Sequence, residues 1–187
     1  MEEIAVGAEA KVYRDKEFAV KRRVHKKYRH HALDERIRAQ RTKQEASVMQ
    51  KLGSVAPKVH SVKDDTIRMD FVAGKTLDEA VTPETLQKLA KAVASIHDLN
   101  VYHGDLTTHN VILTNDGVKI IDYGLAGHDA RVEDKAVDLN VLRRALETRH
   151  HSVYEKGWEA FLSAYQPEER SEILDRFADV KQRGRYK

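Results

Sequence analysis

Short strand-compatible runs lead the chain, and further along apolar positions recur at helical spacing. Residues 4–24 carry the strand-compatible Val12, Tyr13, Phe18, Ala19 and Val20, with the polar Arg14-Asp15-Lys16-Glu17 turning between them. A basic loop, 25–31, leads into a predicted helix from about Leu33 to Leu52, stopped by Gly53 and Pro57. Val59 to Val62 and Thr66 to Val72 read as two more strands around Lys63-Asp64-Asp65. Thr82-Pro83 starts a second helix, with Thr as N-cap and Pro in the first turn, and Leu86, Leu89, Val93 and Ile96 recur on one face. Val111-Ile112-Leu113 and Val118-Lys119-Ile120-Ile121, joined by Thr114-Asn115-Asp116-Gly117, predict a hairpin. Beyond Gly127 the pattern predicts helices over roughly 133–148, 154–165 and 168–182. The order predicts an α+β protein: a β-rich N-terminal lobe with one long helix (1–73), an α-rich C-terminal lobe (74–180) and a basic tail (181–187). Pattern alone does not separate this from other two-layer α+β arrangements.

Composition narrows the chemistry. The 187 residues are 41% hydrophobic, enough for one sizeable core or two small lobes. The net charge of +3 names no partner. The absence of cysteine excludes disulfides, thiolate catalysis and cysteine-based zinc sites. Met1-Glu2-Glu3-Ile4 is acidic and lacks a long apolar run, and no stretch approaches the roughly 20 apolar residues of a membrane span. The expectation is a soluble, cytoplasmic protein with no membrane partner.

The chemistry concentrates in His103-Gly104-Asp105-Leu106-Thr107-Thr108-His109-Asn110 and, after the hairpin, Asp122-Tyr123-Gly124. Asp105 and Asn110 sit five apart in a loop between helix and hairpin, and the hairpin can fold Asp122 back beside Asn110. That combines a proton acceptor with two oxygen ligands for magnesium, the set phosphoryl transfer needs. An Asp-rich loop arising by chance would not also carry the hairpin and the second Asp in place.

These residues resemble the protein-kinase catalytic loop and DFG motif, with Tyr123 in place of Phe. The resemblance implies that Asp105 is the catalytic aspartate, that Asn110 and Asp122 hold Mg2+, and that ATP is the second substrate. Lys21, ending Phe18-Ala19-Val20-Lys21, looks like the strand lysine of the ATP phosphates, and Glu45 on the long helix like its partner. Gly7-Ala8-Glu9-Ala10 stands where the glycine-rich loop belongs, though with one glycine instead of three. Met69, Asp70 and Val72 occupy the expected adenine-reading hinge, and Asp138 resembles the helix aspartate that braces the catalytic loop.

Further segments sharpen the likeness. Tyr28-Arg29-His30, Leu33-Asp34, Arg41-Thr42, Glu45-Ala46, the Leu-Thr-Thr of the loop, Glu133-Asp134-Lys135-Ala136-Val137-Asp138-Leu139 and Arg183-Gly184-Arg185 together resemble the small atypical kinase of the KEOPS (EKC) complex, related to RIO kinases. His31 and His109 depart from that family, which has Pro and Ser there. The resemblance implies a bilobal kinase-like fold, serine/threonine kinase or ATPase activity, a Kae-type threonylcarbamoyl transferase and other KEOPS subunits as partners, and work on N6-threonylcarbamoyladenosine in tRNA. Only eight residues, 125–132, separate Gly124 from Glu133, and no Ala-Pro-Glu follows, so a free peptide has little surface to dock on.

Two other readings stay open. An aminoglycoside-type phosphotransferase also uses His-Gly-Asp, but only 63 residues follow Gly124, too few for its helical substrate domain. A non-catalytic scaffold would not need the full residue set. The nine Lys and Arg of residues 21–41 and the tail cations Lys181, Arg183, Arg185 and Lys187 are candidate tRNA contacts, or simply solvated faces. The pairs His30-His31 and His150-His151 read as surface or packing residues, because adjacent side chains point apart and chelate poorly.

Overall fold

Residues 1–183 are described in the computed structural model, which divides into two compact units, Met1–Val72 and Ala73 onward. In the first unit five antiparallel strands, β1 (Glu2–Val6), β2 (Ala10–Asp15), β3 (Phe18–Arg23), β4 (Val59–Lys63) and β5 (Thr66–Asp70), form one sheet in the order β1-β2-β3-β5-β4. Helix α1 (His31–Leu52) packs against β4 and β5. Strand alternation decides what β3 buries: Ala19, Lys21 and Arg23 are inward while Arg22 is exposed. The same alternation pairs Lys21 with Val12 on β2 and with Ile67 on β5.

Helix α1 turns a mixed face inward: Ala46, Val48, Met49 and Leu52, but also Asp34, Thr42 and Glu45. Such a face gives little apolar periodicity, so its polar members must be held by partners. Asp34 is fully buried, accepts from Arg38 Nε at 2.7 Å and from the Lys26 N–H at 3.3 Å, and lies 3.6 Å from Arg29. Burial alone would raise its pKa, but the Arg38 hydrogen bond, with help from Lys26, outweighs it, and the carboxyl titrates below its usual range.

The second unit is built on α2 (Pro83–Asp98), α3 (Val132–Arg149), α4 (His151–Ala164) and α5 (Arg170–Arg183). Helix α2 buries Leu86, Leu89, Ala90, Val93 and Ile96 on one stripe against α4. Its start is a reciprocal cap: Thr82 Oγ1 accepts from the Thr85 N–H at 3.2 Å, and Thr85 Oγ1 accepts from the Thr82 N–H at 2.9 Å. A short strand β6 (Lys75–Thr76) adds to the hairpin β8 (Val111–Thr114) and β9 (Gly117–Ile120), and β7 (Val101–Tyr102) pairs with β10 (Gly127–His128).

The hairpin lies where the two apolar runs and the Asn-Asp-Gly turn predict it. The two-residue strands β6, β7 and β10 have no sequence signal, because each is defined by a distant partner. Another difference falls at the tail: α5 continues as helix through Arg183, so Lys181 and Arg183 are helical, and Arg183 Nη1 lies 3.4 Å from Glu133. Arg185 and Lys187 lie outside the described residues.

Candidate active site

In the second unit the loop after β7 is fixed from beneath. Asp138, buried on α3, accepts from the His103 N–H at 2.6 Å and the Gly104 N–H at 2.8 Å. Behind it, His97 of α2 lies 3.5 Å from Asp138 through Nε2 and 2.6 Å from the Tyr165 hydroxyl through Nδ1. Gly104 has φ +80°, and a Cβ there would meet the Leu125 carbonyl oxygen at 2.5 Å, so a side chain at this position would push the loop away. His103 is buried: its Nδ1 accepts from the Asp105 N–H at 3.2 Å, and its Nε2 donates to the Ile121 carbonyl at 3.0 Å. With Nδ1 accepting and Nε2 donating, both ring nitrogens are committed to backbone groups beneath the loop.

On this platform Asp105 is exposed and Leu106 buried, so packing of one neighbour aims the other at solvent. The Asn110 amide donates to the Asp105 backbone carbonyl at 2.8 Å and to its carboxylate at 3.2 Å, closing the loop across five residues. With the amide nitrogen so used, the amide oxygen is the atom that can face a cation. The Ile121 N–H donates to the Asn110 carbonyl at 2.8 Å, which sets Asn110 and Asp122 side by side at the open end of the hairpin. Asp122 itself has φ +63°, a costly conformation for a residue other than glycine, eased by its carboxylate accepting from the Gly124 N–H at 3.3 Å. Two hard oxygen donors suit Mg2+, which takes its remaining ligands from phosphates and water. Among the described residues no cluster of three or more His, Cys, Asp or Glu offers an all-protein metal cage.

Tyr123 is buried against His103, with ring centroids 4.9 Å apart, and its hydroxyl has no hydrogen-bond partner among the described residues. Burial, reinforced by the negative charge of Asp138, pushes the phenol far above its ordinary pKa, so it stays neutral. Tyr123→Phe is expected to raise stability by about 1 kcal/mol in urea denaturation, because it removes an unsatisfied buried hydroxyl. It should leave ATP turnover unchanged.

The segment after Asp122 turns straight back. β10 pairs with β7, and the Ala130 N–H donates to the Asn100 carbonyl at 3.1 Å. A Cβ on Gly127 would meet the Tyr102 hydroxyl at 2.6 Å and its ring carbons at 2.7 Å, so glycine permits this close approach. The short 125–132 stretch is thus a tied-down return with one exposed apolar residue, Leu125.

The first unit carries the other candidates. Lys21 Nζ lies 2.5 Å from Glu45 Oε1, both buried, and Arg23 Nη2 lies 2.6 Å from Glu45 Oε2. The sequence offered Arg23 only within the basic run, as a candidate tRNA contact, although its place two residues after Lys21 puts it on the same strand face. The Gly7 N–H donates to the Ala10 carbonyl at 2.9 Å, forming the turn between β1 and β2. Glu9 faces Arg41 at 3.0 Å and Lys26 at 3.6 Å, so its negative charge is held by cations of its own unit. Along the Met69–Val72 stretch the Asp70 N–H donates to Lys58 and the Phe71 N–H to Glu17. The basic run 21–41 is largely spent internally, on Glu45, Asp34, Asp65 and Glu9. His150 likewise is no surface residue: it is mostly buried, 2.9 Å from Asp78.

Known proteins share this architecture. The Rio2 kinase of Chaetomium thermophilum, solved as an ADP/Mg2+-phosphoaspartate complex, matches with a TM-score of 0.64 at 14% identity over 98% of this chain and 70% of that one. WaaP, solved with acyl carrier protein, matches with a TM-score of 0.62 at 14% identity over 97% of this chain and 88% of that one. At such identity these show the fold, a kinase-like α+β arrangement. The model of the lipopolysaccharide kinase (Kdo/WaaP) family matches residues 64–165. A probable bifunctional tRNA threonylcarbamoyladenosine biosynthesis protein of Methanosarcina barkeri is 35% identical over 96% of this chain, which spans only 35% of that protein's length. Two relatives match over nearly their whole length: the probable serine/threonine-protein kinase BUD32 homolog of Archaeoglobus fulgidus (32% identical, 98% of this chain, 95% of the relative) and the KEOPS complex subunit Bud32 of Pyrococcus abyssi (33%, 100% and 97%). The chain belongs to the Bud32 family of atypical kinases and, over residues 64–165, to the wider Kdo/WaaP kinase family.

Proposed function

We propose that this chain is an ATP-dependent atypical serine/threonine kinase or ATPase that works, as a KEOPS subunit beside a Kae-type threonylcarbamoyl transferase, in forming N6-threonylcarbamoyladenosine in tRNA. The observation that carries the reading is the braced loop: Asp138 holds the His103 and Gly104 amides, and Asn110 closes onto Asp105. The relatives' names supply the assembly and the modified nucleoside. In this reading Asp105 accepts the proton of the attacking hydroxyl or water. Asn110 and Asp122 would hold Mg2+, which when bound neutralises charge on the phosphates. In the first unit Glu45 presents the Lys21 ammonium for the phosphates, the Gly7–Ala10 turn offers backbone N–H groups, and the Met69–Val72 stretch reads the base. The tied-down 125–132 return offers no peptide platform, which favours hydrolysis or autophosphorylation with a docked partner over phosphorylation of free peptides.

Lys181 and Arg183 at the end of α5, with Arg185 and Lys187 beyond, are proposed to meet tRNA or the partner. The test is reconstitution with the transferase, the other KEOPS subunits and tRNA. Wild type should support formation of the modified nucleoside, and Asp105→Ala should not. Undiminished modification with Asp105→Ala would leave the chain a scaffold, and phosphorylation of an aminoglycoside instead would favour the antibiotic-kinase reading.

A further inference from the structure

The geometry points to Asp78 as a positioning residue that clamps the catalytic loop through the buried hydroxyl of Thr108. Asp78 lies in the single 3-10 turn Leu77–Glu79 that precedes α2, some thirty residues before the loop. Thr108 is fully buried, and its Oγ1 donates to Asp78 Oδ1 at 2.7 Å. The carboxylate is gripped from the far side by Arg149, at the end of α3, through Nε at 3.2 Å and Nη2 at 3.1 Å. His150 Nε2 approaches Oδ1 at 2.9 Å, and His109 Nε2 approaches Oδ2 at 3.3 Å. The Arg149 hydrogen bond, opposed by burial and aided by Thr108 and His150, holds the Asp78 carboxyl well below the usual carboxylate range. Asp78 is therefore a fixed anion with its lone pairs committed, a rigid post rather than a mobile surface acid.

What the post holds is the turn Thr108–Asn110. The Asn110 N–H closes the turn on the Thr107 carbonyl at 3.1 Å, and its side chain reaches Asp105. A buried donor pinned at Thr108 fixes the turn two residues from Asn110, while Asp138 fixes the loop at His103 and Gly104 two and one residues before Asp105. The loop is thus held at both ends, by two aspartates from different elements, and the reacting group lies between them. Small displacements of such a group are costly to rate.

This inference rests on the reading of Asp105 and Asn110 above, and the experiment separates the two. Thr108→Val keeps the volume and leaves Asp78 paired with Arg149 and His150, so it removes the clamp without stranding a charge. Thr108→Ser restores the hydroxyl. Turnover is normalised to nucleotide-binding stoichiometry, and the Mg2+ needed to bind a non-hydrolysable ATP analogue is followed by calorimetry. Thr108→Val and Asp78→Ala should lower kcat about tenfold to a hundredfold, with KM for ATP within about twofold. The Mg2+ requirement should rise severalfold, and Thr108→Ser should behave as wild type. Thr108→Val with wild-type kcat and Mg2+ requirement, while Asp105→Ala is inactive, overturns the clamp alone. Wild-type turnover by Asp105→Ala overturns the site assignment beneath it. Should Asp78→Ala fail to fold, Thr108→Val decides.

Discussion

Asp105→Ala should lower magnesium-dependent ATP turnover by about a hundredfold to ten-thousandfold, the range ascribed to a positioned general base. Its folding should hardly change. Asp105 is exposed, and its carboxylate makes one described hydrogen bond, from Asn110 at 3.2 Å. Losing a bond of that kind at the surface costs within about 0.5 kcal/mol. The bracing bonds from Asp138 go to the backbone of His103 and Gly104, so they survive the substitution. Activity and stability therefore separate at this residue. Phosphate release and a thermal melt on the same preparation measure both, and a large fall in melting temperature would recast Asp105 as structural.

Glu45→Ala should behave in the opposite way, failing in stability first. Glu45 is 2% exposed and faces two cations, Lys21 at 2.5 Å and Arg23 at 2.6 Å. Removing Glu45 takes away the carboxylate on which the buried Arg23 guanidinium rests, at a cost of about 3–5 kcal/mol. Arg23 has little relief: its Nε finds no partner among the described residues, and Nη2 reaches otherwise only the Arg41 carbonyl at 3.4 Å. Urea denaturation should show the midpoint falling steeply, with ATP turnover lost alongside. Lys21→Met removes a buried charge rather than stranding one, and should cost less stability while still weakening nucleotide turnover. Equal stability of Glu45→Ala and wild type would mean that the cluster is not held as described.

The contrast between these residues shows what the sequence could and could not reveal. Asp105, Asn110 and Asp122 are legible because their relation is local, set by a loop of fixed length and a hairpin whose apolar runs and turn are written in Val111–Ile121. Helix α2 is legible because its buried stripe is apolar. Helix α1 is legible by its C-terminal stop but not by its face, since Asp34, Thr42 and Glu45 are buried on ion pairs and hydrogen bonds rather than by hydrophobicity. The 21–41 run looks like an open basic patch in sequence and is mostly compensated in the fold, because the acids that meet it, Glu9, Glu45 and Asp65, come from other elements or from the far end of α1. Asp78 was invisible for the same reason: its partners Arg149 and His150 lie 71 and 72 residues away.

The central claim is that this is a working ATP enzyme rather than a bridge between partners. Phosphate release from ATP by the intact chain, with Mg2+ present and again after chelation, tests it most directly. The account predicts release that scales with the chain, stops on chelation and is absent from Asp105→Ala. No release above the Asp105→Ala background, even with the transferase and tRNA added, would contradict it.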